Sequence, residues 1–532
     1  MYINIKRITN LLLLTVVVAS CSKEITERTK NAPALNPANI DLNAGTWKPI
    51  LLTAPDEFAV AAPGAASGPG YIAELNEIKG YQKSMTAAQE ERMKYWGAGA
   101  VLRWNEIMRG LVAKYNLPPY QNADGTYPVP DANNPFNNPQ FPFANPPYAS
   151  RAYAYVSAAQ YDALVAAWHY KKLYNRAAPY KINNTITTFL PQSDLPSYPS
   201  EDAVVVGVMV ELLKLFFPGE QAAIQQLATE HKNARIMAGM NVRSDIEAGE
   251  ALGRLVAQKF VTRARGDRAG VAVGNATLWQ QMETQTAATG EIPWISQESP
   301  KRPPMLPLFG RVRTWLFDSA TLVTTVRPGP PPSTKSEKFK QEVAEVLHYS
   351  KNATREQLAI VHYWADGLAT HTPPGHWNAI AADDFIAQRF SEVRWARNMA
   401  LLNMSMMDAA IACWDAKFFY FNPRPSQVNP EIKTWTGLPN FPSYTSGHST
   451  FSGAAATILG RIIPSRKAAY EAMAREASLS RLYGAIHYRS DCEEGLKCGN
   501  VIGTYAIARA NTDGAILQQT AWGPGRGAQR CS

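Results

Sequence analysis

Strand-like alternation of apolar and polar residues is scarce in this 532-residue chain, which argues against a β architecture. There is no Walker A string and no nucleotide-binding glycine-rich loop, so neither nucleotide-binding class has a sequence basis. No repeat at a fixed period is apparent, which argues against a solenoid or propeller. Lys and Arg never cluster densely, although the formal charge is +9; nucleic acid is therefore not indicated as a partner. Only five cysteines occur, and none has zinc-finger spacing. Beyond the first twenty residues, no segment approaches the roughly 18 consecutive apolar residues of a membrane span.

What is present points to a globular, exported, helical protein. Hydrophobic residues make up 46% and charged residues 18%, a balance that can build large cores. Residues 1–20 read as a secretory leader: Lys6 and Arg7 precede an apolar stretch from Leu11 to Val18, then Ala19, Ser20 and Cys21. Val18-Ala19-Ser20-Cys21 resembles a bacterial lipobox, which makes Cys21 the expected lipidated residue. The expected location is the bacterial outer membrane, on its periplasmic or surface side. Export permits disulfides, and Cys492 and Cys498 are close enough in sequence to pair.

Residues 21–70 are rich in Pro, Ala, Gly and Asn and read as a flexible tether. Residues 71–265 carry helical patterns, clearest at 149–173, 201–216, 219–239 and 243–265. Residues 266–335 form an irregular, proline-rich connection, of a length that is usually functional. Residues 336–532 carry further helical patterns, including 393–421, 447–462, 465–483 and 491–511. The expected fold is all-α, two packed helical bundles with the chemistry in the second.

Three strings in the last 120 residues carry that chemistry: Lys417 to Arg424-Pro425, Pro442-Ser443-Tyr444-Thr445-Ser446-Gly447-His448, and Ser480-Arg481 to His487 and Asp491. They supply three cations, two histidines, one carboxylate and a Ser-Gly pair at an expected helix start. A tetrahedral oxoanion needs such a set. Arginine forks match its oxygens, lysine adds a point charge, and free amides at a helix N-terminus favour an anion. Gly484 sets a helix end between Arg481 and His487, with a new helix near Asp491. Taken singly, each residue has a plainer role. Asp491 would be an N-cap with Glu494 as capping-box partner, Ser446 another N-cap, and the cations surface charges.

The three strings together resemble the K-x6-RP, PSGH and SR-x5-H-x3-D signature shared by type 2 phosphatidic-acid phosphatases, bacterial acid phosphatases and vanadium-dependent haloperoxidases. One departure is Thr445, where proline is usual. The resemblance implies that Lys417, Arg424, Ser446, Gly447 and Arg481 hold the oxoanion. It implies His448 as acid–base, and His487 as nucleophile toward phosphorus or as the protein ligand of vanadate. Asp491 would orient His487 and favour its charged form.

The haloperoxidase branch is favoured by chain length, by the lack of membrane spans, and by three local likenesses. Trp364-Ala365-Asp366-Gly367 resembles a haloperoxidase segment whose aspartate pairs with an anion-site arginine, here Arg481. Trp414 and Phe441 resemble the aromatic lining of chloroperoxidases, with ordinary core packing as the plainer reading. His376 is placed near the pocket. The implied cofactor is vanadate, with peroxide and a halide as substrates. The alternatives are an acid phosphatase that hydrolyses phosphomonoesters through a phosphohistidine, without cofactor, and a surface lipoprotein that binds an oxoanion without turnover.

Overall fold

The computed structural model describes residues 31–117, 121–126 and 145–516. The leader, Cys21 and Cys531 lie outside the described residues. The first half contains α1 (Pro69–Lys83), α2 (Ala87–Trp96), α3 (Ala100–Tyr115), α4 (Pro146–Tyr174), α5 (Glu201–Phe216), α6 (Gln221–Met237) and α7 (Arg243–Arg265). Next comes α8 (Ala276–Ala288). The second half contains α9 (Glu337–Asn352), α10 (Arg355–Tyr363), α11 (Thr372–Gln388), α12 (Glu392–Tyr420), α13 (Gly447–Ile462), α14 (Lys467–Tyr483) and α15 (Arg489–Ala510). No strand occurs among the described residues, so the fold is all-α. Side-chain caps account for many helix starts: Asn145, Ser200, Ser391 and Ser446 each accept from a backbone N–H three residues on. None of the described helices is long and apolar enough to cross a membrane.

The two halves form an internal structural repeat that no sequence period announces. The α4 and α12 helices are both 29 residues long and start 246 positions apart (392 − 146). The same offset relates α5 to α13, each of 16 residues, and α6 to α14, each of 17. It also relates buried polar contacts. Arg151 pairs with Asp267 and donates to Ala264 O, while Arg397 pairs with Asp513 and donates to Ala510 O. Ser200 N donates to Asp245 O, and Ser446 N to Asp491 O. The peptide bonds Tyr198–Pro199 and Tyr444–Thr445 are both cis. At the centre, where α4 packs on α12, Asn403 donates to Ser157, its own counterpart. Self-contact of this kind marks an approximate two-fold axis.

Both copies bring one helix pair together through glycine. A Cβ on Gly253 of α7 would lie 2.1 Å from Val204 O on α5. A Cβ on Gly499 of α15 would lie 2.2 Å from Thr450 O on α13. Backbones this close leave no room for any other residue. The α4 and α12 helices are buried along nearly their whole length within one continuous apolar core that joins the two copies.

Two expectations about connecting segments are corrected. Residues 31–68 are not a free tether. Ile50, Leu51 and Leu52 donate their amides to the buried Asp162 carboxylate, and Trp47 and Leu52 are buried. The 266–335 connection holds α8 and an equivalent strap, in which Trp315 and Leu316 donate to buried Asp408, the counterpart of Asp162. Gly45 packs on the His169 backbone and Gly310 on that of Asp415. Periodicity is silent about segments held by a buried carboxylate rather than by their own ladder. Cys492 and Cys498 are buried free thiols, not a disulfide; six residues apart on one helix, they point to different faces.

Candidate active site

Helix ends assemble the site. Lys417 lies in the last turn of α12, and Ser446 caps the start of α13. The α14 helix ends at Gly484, as expected, with Arg481 in its last turn. His487 falls in the turn before α15, and Asp491 in the first turn of that helix. The structure thus brings all eight predicted signature residues to one place. Lys417, Arg424, Ser446, Arg481, His487 and Asp491 are buried, so the surface-charge reading of the cations fails.

The histidine–carboxylate pair is tight. His487 Nδ1 lies 2.9 Å from Asp491 Oδ2. That oxygen also accepts from Ser443 Oγ at 2.5 Å and from the Tyr488 amide at 3.1 Å. Asp491 is therefore the third residue of its helix, not the N-cap. With Nδ1–H given to Asp491, the lone pair of Nε2 is left on the other side of the ring, where Arg424 Nη1 stands 3.1 Å away. Burial, and then the Arg424, Lys417 and Arg481 charges, push His487 well below 6.5. The expectation that Asp491 favours a charged His487 is thus reversed here: burial and three cations outweigh one carboxylate. Burial also raises Asp491.

The cations play unequal parts. Lys417 Nζ donates to the carbonyls of Pro442, Ser443 and Thr445 at 2.8, 2.8 and 2.5 Å. Its three donors are spent on shaping that loop, so toward an anion it acts by charge alone, and burial lowers its pKa. Arg424 donates to Phe441 O and Ile486 O but leaves Nη2 buried without a partner. Arg481 donates to Ser480 Oγ and Val361 O and lines a cavity of about 610 Å³. Gly447, His448 and His487 line the same cavity, as do Trp414, Phe441, Phe451 and Met305. A Cβ on Gly447 would meet only Phe451 at 3.8 Å and Trp414 at 4.0 Å. An orphaned arginine donor, buried cations in excess and an open cradle at a helix N-terminus fit a tetrahedral oxoanion such as vanadate or phosphate.

Asp366 is not paired with Arg481, as the resemblance suggested. Its carboxylate accepts from His376 Nδ1 at 3.0 Å, and His448 Nε2 stands 3.7 Å away. Burial alone would raise Asp366, but the hydrogen bond from His376 and the nearby histidines bring it below 3.8. His448 is pushed down to about 3, first by burial and then by Arg481. His376 stacks on Trp364 at 4.5 Å, behind Asp366 as seen from the cavity. Trp414 and Phe441 face each other at 5.0 Å on the cavity wall.

Sequence reasoning missed two contributions. Ser443 lies inside the second string yet received no role. The 298–306 stretch supplies Glu298, Arg302 and Met305 to the wall, held there by Asn440, which donates to Arg302 O and Pro303 O, and by Trp414, which donates to Met305 O. The length of the connection was the only available signal for that wall.

Residues 398–513 match the model of the PAP2 superfamily. The fold is similar to the structure described as the first bacterial vanadium dependant iodoperoxidase, with a TM-score of 0.53 and 23% identity over 68% of this chain and 91% of that one. A holo-type bacterial vanadium-dependent chloroperoxidase is similar with a TM-score of 0.46 and 14% identity, over 69% of this chain and 93% of that one. No curated protein gives a significant sequence match. The matched segment holds Lys417, Arg424, His448, Arg481, His487 and Asp491, so all three signature strings fall within the part of the chain that resembles the PAP2 superfamily.

Proposed function

We propose that this chain is a vanadium-dependent haloperoxidase-like enzyme that uses hydrogen peroxide to oxidise a halide, exported and anchored through a lipid on Cys21. The observation that carries the reading is the orphaned Arg424 Nη2 beside His487 Nε2, within a buried set of cations. Lys417, Arg424 and Arg481 face two carboxylates, Asp491 and Asp366, which leaves a positive excess that an oxoanion offsets.

In this reading Asp491 fixes the His487 tautomer, so that Nε2 is the atom offered to vanadium. Arg424, Arg481, Ser446 and the first amides of α13 would hold the oxygens, and Lys417 would add charge. Bound vanadate would activate hydrogen peroxide toward attack by halide. The balance is H2O2 + X⁻ + H⁺ → HOX + H2O, so one proton is consumed per turnover. His448 is neutral and has no hydrogen-bond partner at Nε2. It accepts a proton from incoming peroxide and returns it to the departing oxygen. Asp366, 3.7 Å away, steadies the imidazolium formed between those two transfers. Fold likeness over 91% of a bacterial iodoperoxidase and the Trp414–Phe441 wall favour this branch.

The match to the PAP2 model supports a second reading. In a phosphomonoesterase, His487 Nε2 attacks phosphorus and His448 protonates the leaving oxygen. Paired assays on the mature protein decide. Halide oxidation that requires vanadate and peroxide, with little ester hydrolysis, is the expected result. Hydrolysis that vanadate inhibits, without halide oxidation, replaces it with the phosphatase. Absence of both, with vanadate binding retained, leaves an oxoanion-binding lipoprotein.

A further inference from the structure

The first copy of the repeat carries its own version of the site. With the 246 offset (417 − 171), Lys417 corresponds to Lys171, Pro442-Ser443-Tyr444-Thr445-Ser446 to Pro196-Ser197-Tyr198-Pro199-Ser200, and Arg481 to Arg235. His487 and Asp491 correspond to Asn241 and Asp245. Lys171 Nζ donates to Pro196 O, as Lys417 does to Pro442 O. Asp245 accepts from the Val242 amide at 2.9 Å, as Asp491 does from that of Tyr488. Arg424 has no counterpart, since Ala178 stands there. Arg176 supplies a guanidinium from two residues earlier and pairs with Asp245 at 2.5 Å.

The decisive differences are at Gly447 and His448. Their counterparts are Glu201 and Asp202. Glu201 accepts from Trp168 Nε1 at 2.6 Å, and Trp168 is the counterpart of Trp414. Asp202 accepts from Arg235 and from His231, both at 3.0 Å. Two side-chain carboxylates thus stand where the second copy offers an open helix N-terminus to an anion. The space has shrunk as well. The cavity that Trp168, Glu201, Asp202 and Arg235 line is about 60 Å³, against about 610 Å³ at the other site, and Leu35, Asn36 and Pro37 of the strap line it too.

We propose that the first copy is a latent oxoanion site, in which Glu201 and Asp202 occupy the anion's place and neutralise the cations that would bind it. Lys171, Arg176 and Arg235 are then retained because the internal anions need them. The ligand class is a tetrahedral oxoanion, for which inorganic phosphate is the probe. This inference does not depend on which reaction the second site performs.

The test removes the internal anions. Glu201→Gly restores the glycine found at the equivalent position and empties the volume of the side chain. Asp202→Asn removes the second charge at nearly constant shape. Both are made in the full mature chain on an Arg481→Ala background, which disables the other site, and bound radiolabelled phosphate is counted by equilibrium dialysis. The Arg481→Ala chain is expected to bind none and the E201G/D202N/R481A chain one equivalent. A folded triple variant that binds none overturns the proposal. If the triple variant does not fold, E201G/R481A is melted with and without phosphate. A phosphate-dependent rise of several degrees in Tm, absent in R481A alone, supports the latent site; no difference overturns it.

Discussion

Arg481 faces a cavity of about 610 Å³ that reaches His448 and His487, whereas its counterpart Arg235 faces the carboxylate of Asp202 at 3.0 Å. The two helical copies share their frame: equal or nearly equal helix lengths, buried Arg–Asp clamps, glycine-mediated helix contacts and a strap tied to a buried aspartate. They differ in where negative charge comes from. One copy supplies it from its own side chains and is closed. The other keeps an excess of buried cations and an unpartnered donor, and is open. The comparison teaches that the frame alone does not make a site. What matters is whether the charge balance is completed inside the chain or left for a ligand.

The sharpest way to break this comparison is to remove the paired arginines. Arg481→Ala should lower turnover by at least about 10³-fold, because a fixed charge on the oxoanion is lost. Near-normal activity would sink the site assignment. Arg235→Ala should leave kcat within about threefold yet destabilise the chain by roughly 3 kcal/mol, since Asp202 loses its buried partner. Equal loss of turnover in a fully folded R235A chain would show that the first copy is not silent. Next in size, Arg151→Met and Arg397→Met should each cost about 3–5 kcal/mol in chemical unfolding, by stranding Asp267 and Asp513. Clearly unequal losses would mean that the two clamps are not equivalent.

A smaller effect is expected at His376. His376→Asn keeps a donor for Asp366 but carries no second ring nitrogen. If His376 only orients Asp366, turnover should stay near normal. If protons reach His448 through Asp366 and His376, kcat should fall about tenfold or more and recover partly with added imidazole.

The smallest effect concerns the straps and pH. Burial raises Asp408 to about 7 and its counterpart Asp162 to about 6 from 3.8. Each folded carboxyl therefore holds its proton to higher pH than the unfolded one. The resulting stabilisation is complete below about pH 4, and is lost as pH rises through about 6 for Asp162 and about 7 for Asp408. Asp408→Asn should flatten the decline in Tm between about pH 4 and 7, and Asp162→Asn should flatten only its lower part, up to about pH 6. An unchanged slope in D408N would count against the buried, titrating carboxyl.

Helix boundaries were legible because they are local. The patterns at 201–216, 243–265 and 447–462 match helices with those limits, and Ser200 and Ser446 announce their helices as caps. The signature residues were legible because oxoanion binding demands a particular donor set at fixed spacing. The roles of Ser443, Asn440 and the 298–306 wall were not, since each depends on a partner far away in sequence. The straps were misread because their hydrogen bonds run to Asp162 and Asp408 rather than along their own backbone.

The sequence by itself determined an all-α chain, most of its helix limits, and the residues that meet at the candidate site. Only the tertiary structure decided that the first half repeats the second, that Asp366 serves His376 rather than Arg481, and that His487 is held neutral. The reason is physical. Local propensity and spacing are written along the chain. Charge balance and burial belong to the assembled interior, where the carboxylates of Glu201 and Asp202 separate a closed site from an open one.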